Sequence, residues 1–118
     1  MQSQPKRARR CVLSVPGSSD KMMAKASGTA VDEILLDLED AVAPNAKTAA
    51  RGQVVSALNT LNWQAKVLCV RINGVQTQWC HDDVIDVVTG AGSRLDTIML
   101  TKTKSAADVQ FLHRLLDQ

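Results

Sequence analysis

The feature of the sequence that most constrains its fold is a series of four short apolar runs at similar spacing. The runs are 11–15, 34–38, 67–70 and 97–100. None of them alternates cleanly between apolar and polar residues, which is typical of strands buried on both faces of a parallel sheet. The spacing between successive runs is close to the length of one βα unit. The sequence therefore predicts four parallel strands.

Helix signals follow the first two runs. Segment 16–20 is a turn rich in N-cap residues, and it precedes a predicted helix over 21–27 that Gly28 is placed to stop. After the second run, Pro44 suits the first turn of an alanine-rich helix over 45–58. Each of the first two strands is thus expected to lead into a crossover helix.

Helix signals also follow the third and fourth runs. Two aspartates favour a helix start at residue 82, and the helix over 82–88 is expected to end at Gly90 and Gly92. Segment 105–108 resembles a capping box in which Asp replaces Glu, and 109–116 carries the apolar face of a last helix. The predicted order is therefore a strand followed by a helix, four times over.

This order indicates an α/β fold with a parallel sheet and right-handed crossovers. Two architectures fit, a small doubly wound sheet and the first half of a TIM (β/α)₈ barrel, which typically needs about 250 residues. The chain has 118 residues and no internal linker. We predict a basic N-terminal arm over 1–9, containing Lys6, Arg7 and Arg9, followed by four βα units over 10–118.

Composition excludes several functional classes. The net charge is only +2, which argues against nucleic acid as a partner. No apolar run is long enough to span a bilayer and no apolar segment follows the basic start, so we expect a cytoplasmic protein without a membrane partner. Cys11 and Cys69 lie in apolar runs and are predicted to be buried free thiols in a reducing compartment. His81 and His113 are isolated, which favours surface or packing roles.

Polar residues follow every predicted strand. Because ligands bind at the C-terminal ends of parallel strands in either architecture, these residues are expected to form one rim. Side chains alternate along a strand, so Asp37 and Glu39 should project to one face and Asp40 to the other. The rim residues are Gly17, Ser18 and Ser19, then Asp37, Glu39 and Asp40, then Arg71 and Asn73, and finally Lys102 and Lys104.

Two interpretations of the rim stay open at this point. Arg71 is the best partner for a carboxylate, either in an ion pair with Glu39 that has no chemical task or in a site where Arg71 also binds an anionic substrate. Lys21 and Lys25 lie one turn apart on the first helix. With the helix N-terminus they form either a phosphate site or an ordinary solvated face.

Taken together, these motifs resemble the start of the citrate lyase β-subunit family, which includes malyl-CoA lyases and is part of the HpcH/HpaI aldolase superfamily. The resemblance extends from about residue 10 to about residue 108, and its most specific parts are the motifs at 37–42 and 70–73. The ordered series is Val15-Pro16-Gly17, Lys25-Ala26, residues 34–42, Pro44, Lys47, Ala50-Arg51, Val70-Arg71-Ile72-Asn73 and Met99-Leu100-Thr101-Lys102.

The resemblance implies a magnesium-dependent carbon–carbon lyase with a TIM barrel, usually assembled as a trimer or hexamer. Its reaction is the reversible cleavage of a 3-hydroxyacyl-CoA thioester, such as citryl- or malyl-CoA, to an acetyl-type thioester and a 2-oxoacid. By resemblance Arg71 grips the 2-oxoacid carboxylate and Glu39 is the acid beside it. Asp40 joins them in binding the substrate, and Lys21 and Lys25 lie near the CoA phosphates.

The chain also departs from the family pattern. The family usually has Arg near position 21 and Pro at 101, where this chain has Lys21 and Thr101. Arg10 and Arg51 match family arginines without an assigned role. The family's metal ligands come from later strands, so no metal ligand is expected in this chain, and a half barrel alone is expected to be inactive. The alternatives are a non-catalytic module that binds CoA or a 2-oxoacid, and a likeness of structure with inert rim charges.

Overall fold

Each of the four apolar runs forms a strand, and each strand is followed by a helix, in the computed structural model, which describes residues 10–117. The strands are β1 (Val12–Pro16), β2 (Glu33–Asp37), β3 (Val67–Ile72) and β4 (Thr97–Leu100). The α-helices are α1 (Asp20–Ser27), α2 (Lys47–Thr60), α3 (Cys80–Ala91) and α4 (Ala106–Leu116), with short 3₁₀ turns at Pro44–Ala46 and Gly92–Arg94.

The order of the strands decides between the two predicted architectures. All four strands are parallel, and they lie side by side in the order β1-β2-β3-β4. A doubly wound sheet reverses its strand order at a switch point, whereas a TIM barrel adds each strand beside the previous one. With right-handed crossovers, this order places the helices on one face of the sheet. The fold is therefore that of four consecutive βα units of a TIM-barrel-type sheet, as predicted.

The hydrophobic core lies between the helices and one face of the sheet. Alternate residues of β2 and β3 point into it and are almost fully buried, because side chains of a strand alternate between its two faces. Each large apolar side chain buried in this way stabilises the fold by about 1.5–3 kcal/mol. The central members of the core are Ile34, Leu36, Leu38, Leu68, Val70, Ile72, Met23, Val54, Leu58, Val84 and Val87.

The helix bounds differ from the predicted ones by one or two residues in α1 and α2, and α3 is longer than predicted at both ends. Ser19 caps α1 as expected, its hydroxyl accepting from the Met22 N–H at 3.2 Å. Helix α3 begins at Cys80 rather than at residue 82, and it continues through Gly90 to Ala91. A Cβ at Gly90 would lie 2.7 Å from Val55 Cγ1 of α2. The glycine therefore permits close packing of α2 on α3 and does not end the helix.

Two further predictions are corrected. Ser105 occupies the N-cap position of α4, but its side chain makes no cap bond; Asp108 accepts instead from the Lys104 N–H at 2.9 Å. Cys69 is buried as predicted, whereas Cys11 is exposed. Cys11 precedes β1, which lies at the edge of the sheet, so within residues 10–117 nothing covers it.

A bilayer-spanning helix was not expected from the sequence. Within residues 10–117, no helix combines the length and the apolar character needed to cross a membrane.

Candidate functional site

The polar residues that follow the strands gather at one edge of the sheet. Asp37 ends β2, Arg71 lies near the end of β3, and Lys102 follows β4. In a parallel sheet the C-terminal ends of neighbouring strands meet at the same edge, and ligands bind there. We call the group Asp37, Glu39, Asp40, Arg71 and Lys102 the charged rim.

The strongest interaction of the charged rim joins Asp37 and Arg71. Sheet register places the two residues side by side, and Arg71 donates from Nε to Asp37 Oδ1 at 2.8 Å and from Nη2 to Asp37 Oδ2 at 2.5 Å. This bidentate geometry is the strongest form of a carboxylate–guanidinium pair. Asp37 is fully buried, while the Arg71 side chain remains 24% exposed. Asp37 therefore fixes the orientation of Arg71, and part of the Arg71 side chain remains accessible at the rim.

The partner of Arg71 differs from the predicted one, because an ion pair with Glu39 was considered and Asp37 takes that place. The reason lies in the turn after β2. Asp37 Oδ1 accepts from the Glu39 N–H at 2.8 Å and Asp37 Oδ2 accepts from the Ala41 N–H at 3.0 Å. These bonds turn the chain, so the strand alternation used to place Glu39 no longer holds beyond residue 37.

Two opposing effects set the ionisation of Asp37. Burial by itself raises the pKa of this carboxyl, but the hydrogen bonds from Arg71 and from the Glu39 and Ala41 N–H groups outweigh it and hold the pKa below its ordinary value. The same pairing, through the hydrogen bond to Asp37, raises the pKa of Arg71. Both groups are therefore charged at neutral pH.

Glu39 and Asp40 share a different cation. Lys102 Nζ donates to Glu39 Oε2 and, at 3.3 Å, to Asp40 Oδ1. Glu39 is nearly buried, whereas the side chains of Asp40 and Lys102 are 68% and 64% exposed. The prediction that Glu39 and Asp40 project to opposite faces is wrong, because both lie in the turn and contact the same ammonium group.

This contact shifts the ionisation of two exposed groups. The pKa of Asp40 is lowered, first by its hydrogen bond with Glu39 and then by Lys102. The pKa of Lys102 is raised by its hydrogen bonds with Glu39 and then Asp40. Solvent screens the exposed pair of Asp40 and Lys102, so this pair contributes little to stability. Its main effect is on the charge and the orientation of the rim side chains.

A buried lysine, Lys47, binds backbone carbonyls of the turn after β2. Lys47 Nζ donates to the Leu38 carbonyl at 3.1 Å and to the Glu39 carbonyl at 2.7 Å, and it lies 5.2 Å from the centre of the Trp79 ring. Asn73 Nδ2 also donates to the Leu38 carbonyl, at 3.0 Å. The backbone that carries Glu39 is therefore fixed by two side chains that do not themselves reach the rim.

A second buried group joins this support. Asp83 of α3 is fully buried; it accepts from Arg51 Nε at 2.7 Å, from Asn73 Nδ2 at 2.6 Å and from the Asn73 N–H at 3.0 Å. Arg51, an arginine without an assigned role in the sequence, is thus a structural residue. The sequence did contain a signal for Asp83, because it lies on the buried stripe of α3 with Cys80 and Val84, where an unpaired carboxylate would be costly.

The first loop is placed separately from these ion pairs. Gln53 Nε2 donates to the Ser18 carbonyl at 3.1 Å and holds the loop against α2. Lys21 and Lys25 are exposed on α1, and within residues 10–117 neither bonds to the charged rim. Their proposed role near a phosphate stays a prediction, as do the substrate-binding roles of Glu39, Asp40 and Arg71.

Within residues 10–117, the acidic residues of the charged rim are not arranged as a magnesium site. Among the described residues, no three His, Cys, Asp or Glu side chains come together as a metal site would need. Asp37 is occupied by Arg71, and Glu39 and Asp40 are occupied by Lys102. Since Mg²⁺ requires oxygen ligands in near-octahedral geometry, residues 10–117 alone do not form a complete site for it.

Comparison with known proteins agrees with this arrangement. The L-malyl-CoA/beta-methylmalyl-CoA lyase of Cereibacter sphaeroides is 46% identical over 112 residues, which are 95% of this chain and 35% of that protein. The chain therefore spans about one third of the length of this relative.

Solved structures give the same result. The citrate lyase beta subunit from M. tuberculosis, complexed with oxaloacetate and magnesium, is similar with a TM-score of 0.69 and 34% identity, over 86% of this chain and 42% of that chain. Protein CitE from Mycobacterium tuberculosis, in complex with magnesium, acetoacetate and coenzyme A, is similar with a TM-score of 0.65 and 31% identity, over 86% of this chain and 35% of that chain.

A model of the HpcH/HpaI aldolase/citrate lyase family matches residues 10–118. The match includes all four described strands, the charged rim and the buried residues that support it. The chain therefore belongs to the HpcH/HpaI aldolase/citrate lyase family.

Proposed function

We propose that this chain provides the first four βα units of a carbon–carbon lyase that acts on acyl-CoA thioesters. The reaction is the reversible cleavage of a 3-hydroxyacyl-CoA, of the malyl- or citryl-CoA type, to an acetyl-type thioester and a 2-oxoacid. The names of the similar proteins support this class of substrate, since they include a malyl-CoA lyase and a citrate lyase beta subunit complexed with oxaloacetate.

The observation that supports the proposal most directly is that Asp37 fixes Arg71 while part of the Arg71 side chain stays exposed. Within the described residues, its hydrogen bonds to Asp37 use Nε and Nη2, and the side chain is still 24% exposed. Its remaining N–H donors are available at the rim with their orientation already set. A planar, pre-oriented guanidinium is well suited to a carboxylate, so Arg71 binds the carboxylate of the 2-oxoacid.

The chemistry is a retro-aldol cleavage. The substrate hydroxyl loses its proton and its carbon becomes the carbonyl of the 2-oxoacid. The electron pair of the broken C–C bond passes to the thioester as an enolate, whose carbon takes up a proton, so that no net proton is released. Arg71 orients the half of the substrate that becomes the 2-oxoacid, and the carboxylates of Glu39 and Asp40 lie beside it. Lys21 and Lys25 bind the CoA phosphates by charge.

Magnesium is the proposed cofactor. It supplies charge stabilisation to the oxygens of the substrate. Because residues 10–117 do not form a complete site, we propose that its remaining ligands come from outside a single copy of the chain, either from later segments or from a second copy that associates with it. We further propose that the protein is cytoplasmic and assembles as a homo-oligomer, a trimer or hexamer.

Isothermal calorimetry of the chain with oxaloacetate, with acetyl-CoA and with both, with and without Mg²⁺, tests the proposal. We expect magnesium-dependent binding of oxaloacetate that is lost in Arg71→Met and weakened in Arg71→Lys, which keeps the charge without the planar fork. Arg94→Met, in the turn before β4, is the matched control and should bind like the wild type.

The alternative function predicts a different result. Binding that does not depend on Mg²⁺ would favour a non-catalytic module for CoA or a 2-oxoacid. A folded sample that binds neither ligand would contradict the proposal for this chain.

A further inference from the structure

Lys102 has an unusual backbone conformation. Its φ is 51°, and it is the one non-glycine residue among residues 10–117 with a positive φ. A side chain crowds the backbone in this left-handed region, which is why glycine and asparagine are preferred there. Residues held in such a conformation occur where the surroundings impose it, frequently at functional sites.

The surroundings of Lys102 hold the turn against the sheet. Thr101 Oγ1 donates to the Ile72 carbonyl at 3.2 Å and ties the turn after β4 to the end of β3. From there the Lys102 side chain reaches the turn after β2, where it bonds to Glu39 and Asp40. Since β3 lies between β2 and β4, this connection passes the end of the strand that carries Arg71.

Folding stability explains a lysine at this position only in part. The ammonium group is on a side chain that is 64% exposed, and its pair with the exposed Asp40 contributes little to stability. Its bond to Glu39, whose side chain is 10% exposed, does stabilise the turn. Glycine would adopt the same backbone without crowding, so the lysine has a further role that the backbone does not require.

That further role concerns the charges around Arg71. The Asp37 carboxylate that holds Arg71 also accepts from the Glu39 N–H at 2.8 Å, so the turn with Glu39 and Asp40 lies beside the Arg71 guanidinium. After Asp37, the charges of these two carboxylates add to the rise in the pKa of Arg71. Without a cation of their own, they would attract the free donors of Arg71 and repel an incoming anion. Lys102 offsets one of these two negative charges and holds both carboxylates in the turn.

We infer that Lys102 is a positioning residue of the charged rim, which keeps Glu39 and Asp40 from competing with an anionic ligand for Arg71. This inference rests on the proposed function, because the ligand it serves is the 2-oxoacid. Lys102 acts through Arg71 and through the two carboxylates.

The test compares Lys102→Gly, Lys102→Arg and the control Lys104→Gly in the full 118-residue chain. Lys104 was expected at the rim, but within residues 10–117 its side chain bonds to none of the charged rim residues, and its backbone N–H donates to Asp108. Oxaloacetate affinity in the presence of Mg²⁺ is measured by calorimetry and thermal unfolding by circular dichroism. We expect Lys102→Gly to unfold at a temperature close to that of the wild type, because the relaxed backbone offsets the lost bond to Glu39, and to bind oxaloacetate about tenfold more weakly or worse. Lys102→Arg should keep most of the affinity, and Lys104→Gly should bind like the wild type.

A second readout separates this inference from the proposed function. Carboxyl ¹³C signals of Glu39 and Asp40 are followed through a pH titration by NMR, without any ligand. In Lys102→Gly the pKa of Asp40 should rise and the Glu39 signal should shift, while Lys104→Gly leaves both unchanged.

Each result has a defined meaning. A wild-type chain that binds no oxaloacetate contradicts the proposed function alone, and the NMR result then decides the role of Lys102. Unchanged carboxyl signals in Lys102→Gly, or a Lys102→Gly variant that binds oxaloacetate as tightly as the wild type, would overturn the inference.

Discussion

At the scale of single residues, the rim contains two kinds of ion pair. Asp37 and Arg71 form a bidentate pair with a fully buried carboxylate, whereas Lys102 bridges Glu39 and Asp40 near the solvent. Buried and exposed pairs differ in energy, because only the buried partner loses its hydration. We therefore expect the first pair to control stability and the second to control charge at the rim.

Asp37→Asn should destabilise the protein and change its dependence on pH. The variant leaves Arg71 with a neutral partner, and we expect a loss of about 2 kcal/mol, below the range for a fully buried pair because Arg71 is partly exposed. The pKa of Asp37 is lowered in the folded state. Its contribution is therefore complete above the unfolded pKa of about 3.9 and is lost as the pH falls through the folded value.

Urea unfolding between neutral and acidic pH measures this effect. The wild type should lose unfolding free energy steeply below about pH 4, and Asp37→Asn should lose less over the same range. Asp86→Asn is the control, since Asp86 is 54% exposed and lies 3.9 Å from Arg51. Identical acid profiles for the wild type and Asp37→Asn would show that Asp37 does not provide this dependence.

At the scale of elements, buried polar groups join α2, α3 and β3 beneath the rim. Arg51 of α2 and Asn73 after β3 both donate to Asp83 of α3. Helix α3 thus contacts the segment after β3 through a charge, and the same carboxylate joins α2 to α3. The turn that carries Glu39 depends on this group, because Asn73 also donates to the Leu38 carbonyl.

Asp83→Ala should therefore be strongly destabilising. It leaves the buried Arg51 guanidinium with the exposed Asp86, 3.9 Å away, in place of its buried partner, and removal of one member of a buried pair typically costs about 3–5 kcal/mol. Thermal and urea unfolding measure the loss. Asp82→Ala removes the neighbouring carboxylate, which is 63% exposed, and should change stability by less than about 0.5 kcal/mol. Similar losses in the two variants would contradict the structural role of Asp83.

Gly17 marks the closest approach between the first loop and its neighbours. A Cβ at this position would lie 2.6 Å from Val54 Cγ2 and 2.9 Å from the Asp37 carbonyl oxygen. Gly17→Ala should therefore destabilise the protein by about 1–3 kcal/mol, the typical cost of overpacking. The Gly17 N–H also donates to that carbonyl at 2.8 Å, so the change should disturb the end of β2.

Gly52 provides the matched comparison for this prediction. It lies inside α2, and a Cβ there would meet nothing within 4 Å. Gly52→Ala should stabilise the protein by about 0.5–1 kcal/mol, because alanine is the better helix former. Opposite signs of the two changes in unfolding free energy are expected, and a stable Gly17→Ala variant would show that the loop can move away from α2.

At the scale of the whole molecule, the sheet is open on both sides. Within residues 10–117, β1 and β4 each pair with one other strand, and the apolar side chains of Val12 and Met99 on these strands are exposed. Unpaired strand edges with apolar side chains promote association. A closed barrel removes such edges.

We expect the 118-residue chain to associate in solution. Light scattering over a concentration series should give an apparent mass above that of one chain, and the double variant Val12→Lys, Met99→Lys should lower it, because charged edge residues oppose pairing. Ile85→Lys, which changes an exposed apolar residue of α3 away from the edges, is the control. A monodisperse wild-type monomer at every concentration would contradict this prediction.

Much of this protein was determined by its sequence alone. Four apolar runs separated by helix signals predicted the strands and their parallel pairing. A strand that is buried on both faces is apolar along its whole length, and this pattern is visible within the strand itself, without knowledge of its neighbours. The same pattern predicted the rim, since parallel strands bring their C-terminal ends to one edge. Arg71 was identified in this way, as a cation in an apolar strand near its end.

The tertiary structure decided which of these charges meet. Sheet register, and not alternation along one strand, gave Arg71 its partner Asp37, and the turn after β2 placed Glu39 and Asp40 together. Lys102 joins them across 62 and 63 residues of sequence, and no local signal encodes such a contact. The reason is physical: a strand's pattern records which face is buried, whereas the partner of a charge depends on where the neighbouring elements end.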